Sequence, residues 1–152
     1  MNIRPAIPIL IADDDPDDCL MIREAFHECR LDTPLYFVHD GETLLDYLRR
    51  TPPYQDPQQH PWPGLILLDL NMPRMGGRET LQALKNDPKL RSIPVVIFST
   101  SSSTDDIQHS YRMGASSFIS KPSSFSSLVA VVHSLHHYWL EVVALPQHGL
   151  PT

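Results

Sequence analysis

Short apolar runs alternate with longer amphipathic stretches along the chain. The runs fall at residues 7–12, 35–38, 65–70, 95–98 and 117–120. Leu65-Ile66-Leu67-Leu68 and Val95-Val96-Ile97-Phe98 carry no polar alternation, which predicts strands buried on both faces, as in a parallel sheet. The stretches between the runs predict helices. Asp15-Pro16 offers a cap followed by proline at the first helical position. The helix it opens runs to about Cys29, with Leu20, Ile22, Ala25, Phe26 and Cys29 as its apolar side. A second helix covers residues 41–50 around Leu44, Leu45 and Leu48, and a third covers 77–86 around Leu81 and Leu84, stopping near Asp87-Pro88. Thr104 is the expected cap of a helix over 105–113, which Gly114 ends. The last helix starts near Ser124 and has room to reach Ala144, before Pro146. Strands and helices in strict alternation predict an open α/β sheet with helices on both faces.

Two segments break this rhythm. Residues 51–64 hold five prolines and no apolar periodicity, which predicts a stiff surface loop inserted before the third strand. The final helix is the other exception. Its first half sets Phe125, Leu128, Val129, Val132 and Leu135 at core spacing. Its second half adds Tyr138, Trp139, Leu140, Val142, Val143 and Leu145 and is apolar nearly all round. Projecting past a small sheet, such a surface is exposed unless paired, and self-association is the simplest cover.

Composition narrows the field. The 152 residues suit one domain, large enough to hold a core without metal or disulfide. Apolar residues at 41% and charged residues at 20% argue against global disorder. A net charge of −6 argues against direct DNA binding, which needs clustered Lys and Arg. No apolar run approaches the roughly 20 residues of a membrane helix, and residues 1–11 lack a signal-peptide pattern. Cys19 and Cys29, ten residues apart on one helix, stand about 15 Å from each other. That exceeds the reach of a disulfide, so both are expected as reduced thiols in a cytoplasmic protein. His136-His137 point about 100° apart on a helix, unsuited to sharing a metal, and are expected at the surface.

In an open parallel sheet, function gathers where strands end, beside the switch in strand order. The first strand ends in Asp13-Asp14, the third in Asp69, the fourth in Ser99-Thr100 and the fifth in Lys121-Pro122. Asp13, Asp14 and Asp69 cannot all stay ionised at close quarters without compensation. Either one holds a proton or a cation sits among them. Few hard oxygen ligands, with room for water and phosphate, suit Mg²⁺ better than Ca²⁺. With Lys121 and a hydroxyl at the same edge, the set matches what a transferring phosphoryl group requires. Asp69 would then be the nucleophile that forms an aspartyl phosphate. Asp15 is the expected helix cap, and Asp17 and Asp18 are expected as first-turn residues favoured by the helix dipole.

Four segments carry a resemblance. Ile9-Leu10-Ile11-Ala12-Asp13-Asp14, Leu67-Leu68-Asp69-Leu70-Asn71-Met72-Pro73-Arg74-Met75-Gly76-Gly77, Pro94-Val95-Val96-Ile97-Phe98-Ser99-Thr100-Ser101 and Phe118-Ile119-Ser120-Lys121-Pro122 resemble the receiver domain of two-component response regulators. The match runs over about residues 7–136. It implies a flavodoxin-like, doubly wound five-stranded parallel sheet of order 2-1-3-4-5 with an extended C-terminal helix, in one receiver domain over 1–152 whose extension begins near 137. It implies that Asp69 is the phosphoacceptor, that Asp13 and Asp14 bind the metal, and that the backbone carbonyl of Asn71 completes the Mg²⁺ shell. Ser99 matches the switch hydroxyl, Lys121 the family's lysine with a cis bond to Pro122, and Phe118 the aromatic switch, although Phe118 also suits ordinary core. Asn71 and Ser101 match positions that tune phosphoryl lifetime.

No output domain is expected after Lys121-Pro122, which points to a stand-alone regulator that acts by binding or by passing the phosphoryl group on. The implied partner is a sensor histidine kinase. The long loop before the third strand, Pro73-Arg74-Met75-Gly76-Gly77-Arg78 and the Tyr138-Trp139…Leu145-Pro146 tail are similar to single-domain regulators partnered with bacterial and cyanobacterial phytochromes. That similarity implies a homodimer through the last helix. An Mg²⁺-dependent phosphohydrolase using an aspartyl phosphate is the alternative, but such enzymes usually place a second acid two residues after the nucleophile, where this chain has Asn71. A flavin or nucleotide binder would need a Gly-rich loop after the first strand, and residues 12–16 contain no glycine.

Overall fold

Alternation within the central strands sorts the core into two halves. In the computed structural model, which describes residues 6–146, β1 (Ile9–Ala12) sends Leu10 and Ala12 to one side and Ile9 and Ile11 to the other. β3 (Leu65–Leu68) and β4 (Val95–Ser99) divide their side chains the same way, and all three strands are buried along their length. β2 (Leu35–Val38) and β5 (Ser117–Ser120) form the half-exposed edges. All pairings are parallel, in the order β2-β1-β3-β4-β5 that the resemblance implies.

The helices cover both faces. One core half takes Ile22, Ala25 and Phe26 from α1 (Pro16–Glu28) and Leu128, Val132 and Leu135 from α5 (Phe125–His136). The other takes Leu44, Leu45 and Leu48 from α2 (Gly41–Leu48) and Leu81 and Leu84 from α3 (Gly77–Asn86). Below α4 (Thr104–Arg112), Met113 and Ala115 join that second half. Asp15 caps α1 by accepting from the Asp17 and Asp18 N–H groups, with Pro16 at the first helical position. Gly114, at φ +105°, supplies the left-handed turn after α4.

Local readings differ at several places. Ser103, not Thr104, caps α4, because its hydroxyl accepts from the Asp106 N–H at 3.1 Å. Leu20 and Phe125 face solvent at 55% and 37% exposure rather than the core. The Lys121–Pro122 bond is trans; the cis bond among the described residues is Pro52–Pro53. The inserted loop is held by its own contacts. Tyr47 O–H donates to the Pro61 carbonyl at 2.7 Å, Arg50 donates to the Tyr54 and His60 carbonyls, and the rings of Tyr47, Tyr54 and His60 meet edge-on or tilted. Tyr54 and Trp62 then pack onto the α2/α3 half of the core.

The last helix does not continue as an α-helix to Ala144. After His136 it widens into a π-helical turn, His137–Val142, closed by the Val143 N–H donating to the Tyr138 carbonyl at 3.0 Å. The wider turn, with its hydrogen bond spanning five residues instead of four, brings Leu140, five after Leu135, onto the core. Trp139 and Leu145 also pack on that half of the core, so the chain itself covers much of the stripe. Tyr138 and Val142 remain exposed at 52% and 58%. Cys19 and Cys29 are free thiols, bonded to the carbonyls of Asp13 and Val129.

Candidate functional site

Two central strands deliver the acids. The ladder runs one residue past each strand: the Asp13 N–H donates to the Val38 carbonyl and the Asp69 N–H to the Ala12 carbonyl, both at 3.0 Å. Asp13 and Asp69 are therefore fixed side by side at the switch point between β1 and β3, and both are buried. Asp14, on the outer side, is exposed. One carboxylate oxygen from each of Asp13, Asp14 and Asp69 lies within 4.8 Å of the others.

Lys121 reaches the same point from the edge strand. Its N–H donates to the Ser99 carbonyl at 2.7 Å, which anchors the turn after β5. Its ammonium lies 2.8 Å from Asp13 Oδ2, 3.0 Å from Asp69 Oδ2 and 2.7 Å from Asp18 Oδ2. Burial disfavours the ammonium, but hydrogen bonds to Asp13 and Asp18 outweigh it and raise the Lys121 pKa. The Asp13 pKa is raised as well, which for a carboxyl disfavours the charged form: burial raises it, and the hydrogen bond from Lys121 only partly offsets that. Three carboxylates, Asp13, Asp18 and Asp69, thus share one ammonium, with Asp14 exposed beside them.

The donor set fits a divalent cation of the hard, oxygen-preferring kind. It offers three converging carboxylates, one of them open to water, with excess negative charge. Asn71 is exposed beside it, its N–H donating to Asp69 Oδ1 at 3.3 Å. Ser99 is fully buried at the end of β4, its hydroxyl accepting from the Ser101 N–H at 3.3 Å. Phe118 is half-buried against the α2/α3 half of the core, and its N–H donates to the Tyr111 hydroxyl. The structure brings Asp13, Asp14, Asp69 and Lys121 together, sets Asn71 beside them and Ser99 on the adjoining strand end, and leaves Phe118 outside the cluster.

Asp18 was not expected here. As a first-turn residue it looks like a dipole-complementing acid, yet it binds Lys121 across 103 residues of sequence. The available signal is that helical side chains lean toward the N-terminus, and the N-terminus of α1 opens onto the end of β1.

Residues 9–133 match the family model of the response regulator receiver domain. Response regulator Rcp1 of Synechocystis sp. is 34% identical over 143 residues, spanning 94% of this chain and 95% of Rcp1. The structure of the phosphorylated cyanobacterial phytochrome response regulator RcpA is 36% identical with a TM-score of 0.86, over 94% of this chain and 100% of that one. The Mn²⁺-bound form of Rcp1 is 33% identical with a TM-score of 0.82, over 93% and 99% of the two chains. Among the described residues, no helix is long and apolar enough to cross a membrane.

Proposed function

This chain belongs to the response regulator receiver domain family, and we propose that it accepts a phosphoryl group on Asp69 from a sensor histidine kinase. The observation that carries this reading is the Lys121 ammonium set 3.0 Å from Asp69 inside an acidic triad. An Asp69 carboxylate oxygen attacks the phosphorus of the donor phosphohistidine. The P–N bond breaks, its electron pair leaves with the imidazole, and Asp69 becomes an acyl phosphate. Lys121, held protonated, lies ready to neutralise a phosphoryl oxygen. Asp13, Asp14, Asp69 and the backbone carbonyl of Asn71 would hold Mg²⁺. When bound, that ion offsets negative charge on the phosphoryl oxygens. Ser99 O–H serves as the switch donor to the new group and Phe118 as the aromatic that responds to it.

The chain has its receiver core over about residues 7–136, with an extension from about 137. It turns over no substrate besides its own phosphoryl group, and no observation favours the phosphohydrolase reading. Similarity to RcpA, named a phytochrome response regulator, supports a phytochrome-type kinase as partner. Exposed Tyr138 and Val142 support a homodimer through the last helix region. The two free thiols support a cytoplasmic setting, and the net charge of −6 supports action without direct DNA contact.

Incubation with acetyl phosphate or a phosphorylated kinase is expected to give an acid-stable, hydroxylamine-labile phosphate only when Mg²⁺ is present. Asp69→Asn should take none. Label mapped to a different residue of the wild type would overturn the assignment.

A further inference from the structure

We propose that Asp18 is a positioning residue that holds the Lys121 ammonium independently of the cation site. Three carboxylates meet that ammonium, and two of them have a second task. Asp13 and Asp69, at 2.8 and 3.0 Å, belong to the triad that faces the cation. A divalent ion drawn to those oxygens competes with the ammonium for them. Asp18, at 2.7 Å, lies outside the triad and supplies the partner such competition leaves alone.

The local structure aims Asp18 for this task. Asp15 caps α1 by taking the Asp17 and Asp18 N–H groups, which fixes the first turn. The Asp18 side chain is 36% exposed and the Lys121 side chain 10%, so the pair bridges the rim and the interior of the site. Without the Asp18 charge, Lys121 is left with Asp13 and Asp69. The ammonium then leans on the oxygens that the cation and the phosphoryl donor need. The inference rests on the proposed role of the triad, and it differs from a simple field effect. A bare negative charge at Asp18 would attract the cation whether or not Lys121 were present.

A double-mutant cycle on the full chain separates the two, read by calorimetric titration with Mg²⁺ alone. Asp18→Asn is expected to raise the apparent Kd for Mg²⁺ about three- to tenfold, the scale of a partly exposed charge-assisted bond. In a Lys121→Ala background the same change should shift Kd by less than about twofold. Lys121→Met serves the cycle if the smaller side chain unfolds the sheet edge. Asp18→Glu, which keeps the carboxylate, should restore most of the affinity and most of the phosphorylation rate with acetyl phosphate. Equal weakening in both backgrounds, or no effect of Asp18→Asn, overturns the proposal. Absence of label on wild-type Asp69 would sink the phosphoacceptor reading instead, while the Mg²⁺ cycle still decides the role of Asp18.

Discussion

Gly77 limits the turn that carries Asp69 more tightly than any side chain there. Its N–H donates to the Leu70 carbonyl at 2.9 Å, and a Cβ on it would overlap the Asp69 carbonyl and stand 2.6 Å from Leu70 Cα. Both neighbours are backbone and cannot swing away. Gly77→Ala should cost more than about 2 kcal/mol and displace Asp69. Urea unfolding and the initial rate of labelling are expected to fall together. Asp40 is the second sensitive residue. Burial pushes its carboxyl up, but Arg74 and the Thr43 N–H outweigh that and hold it below the usual range. A depressed carboxyl adds stability above its ordinary value of about 4 and loses it as pH falls through the depressed one. Arg74→Ala removes the opposing charge, so acid unfolding followed by circular dichroism should move to higher pH. An unchanged midpoint would mean that the Asp40–Arg74 pair adds nothing to the folded state.

At the scale of elements, the π-helical turn is the feature that periodicity could not anticipate. An α-helix from Ser124 sets Trp139 above Leu135, whereas the wider turn sets Leu140 there. It also gathers His136 and His137 onto one carboxylate, each Nδ1 lying 3.2 Å from a Glu141 oxygen. The histidines lower the Glu141 pKa, so this contact is strongest when the imidazoles are protonated and Glu141 is not. Leu140→Ala should destabilise the chain by about 2 kcal/mol, the low end for a buried leucine near the surface. Val142→Ala, at an exposed position, should change stability by less than about 0.5 kcal/mol. Equal effects in thermal unfolding would show that the turn does not select Leu140.

For the whole molecule, assembly turns on the surface that the chain leaves uncovered. Self-coverage by Trp139, Leu140 and Leu145 removes much of the apolar area that the sequence suggested for a partner. Tyr138 and Val142 remain, beside an apolar groove along β5 and α5 that includes Val131, Leu135 and Trp139. A two-fold dimer would use this same patch on both copies. Tyr138→Glu with Val142→Glu should yield a monomer in sedimentation velocity that still takes phosphate on Asp69. A wild type that sediments as a monomer at micromolar concentration, with and without phosphate, would remove the dimer from the proposed function.

Sequence by itself marked the central strands and the residues at their ends, for local reasons. Uninterrupted apolar runs at β3 and β4 mark buried parallel strands. Once the strands are placed, Asp13, Asp69, Ser99 and Lys121 follow as residues at their carboxyl ends. The order β2-β1-β3-β4-β5 then brings the acids together. Tertiary structure alone decided the rest. Whether Asp18 meets Lys121 depends on how α1 is rotated and slid against the sheet. Whether Leu140 is buried depends on a change of helical pitch after His136. The loop over 51–64 gains order from Tyr47, Arg50 and His60, contacts that no apolar period announces. Each of these depends on the placement of one element against another, and a period of two or of 3.6 residues describes only an element against itself.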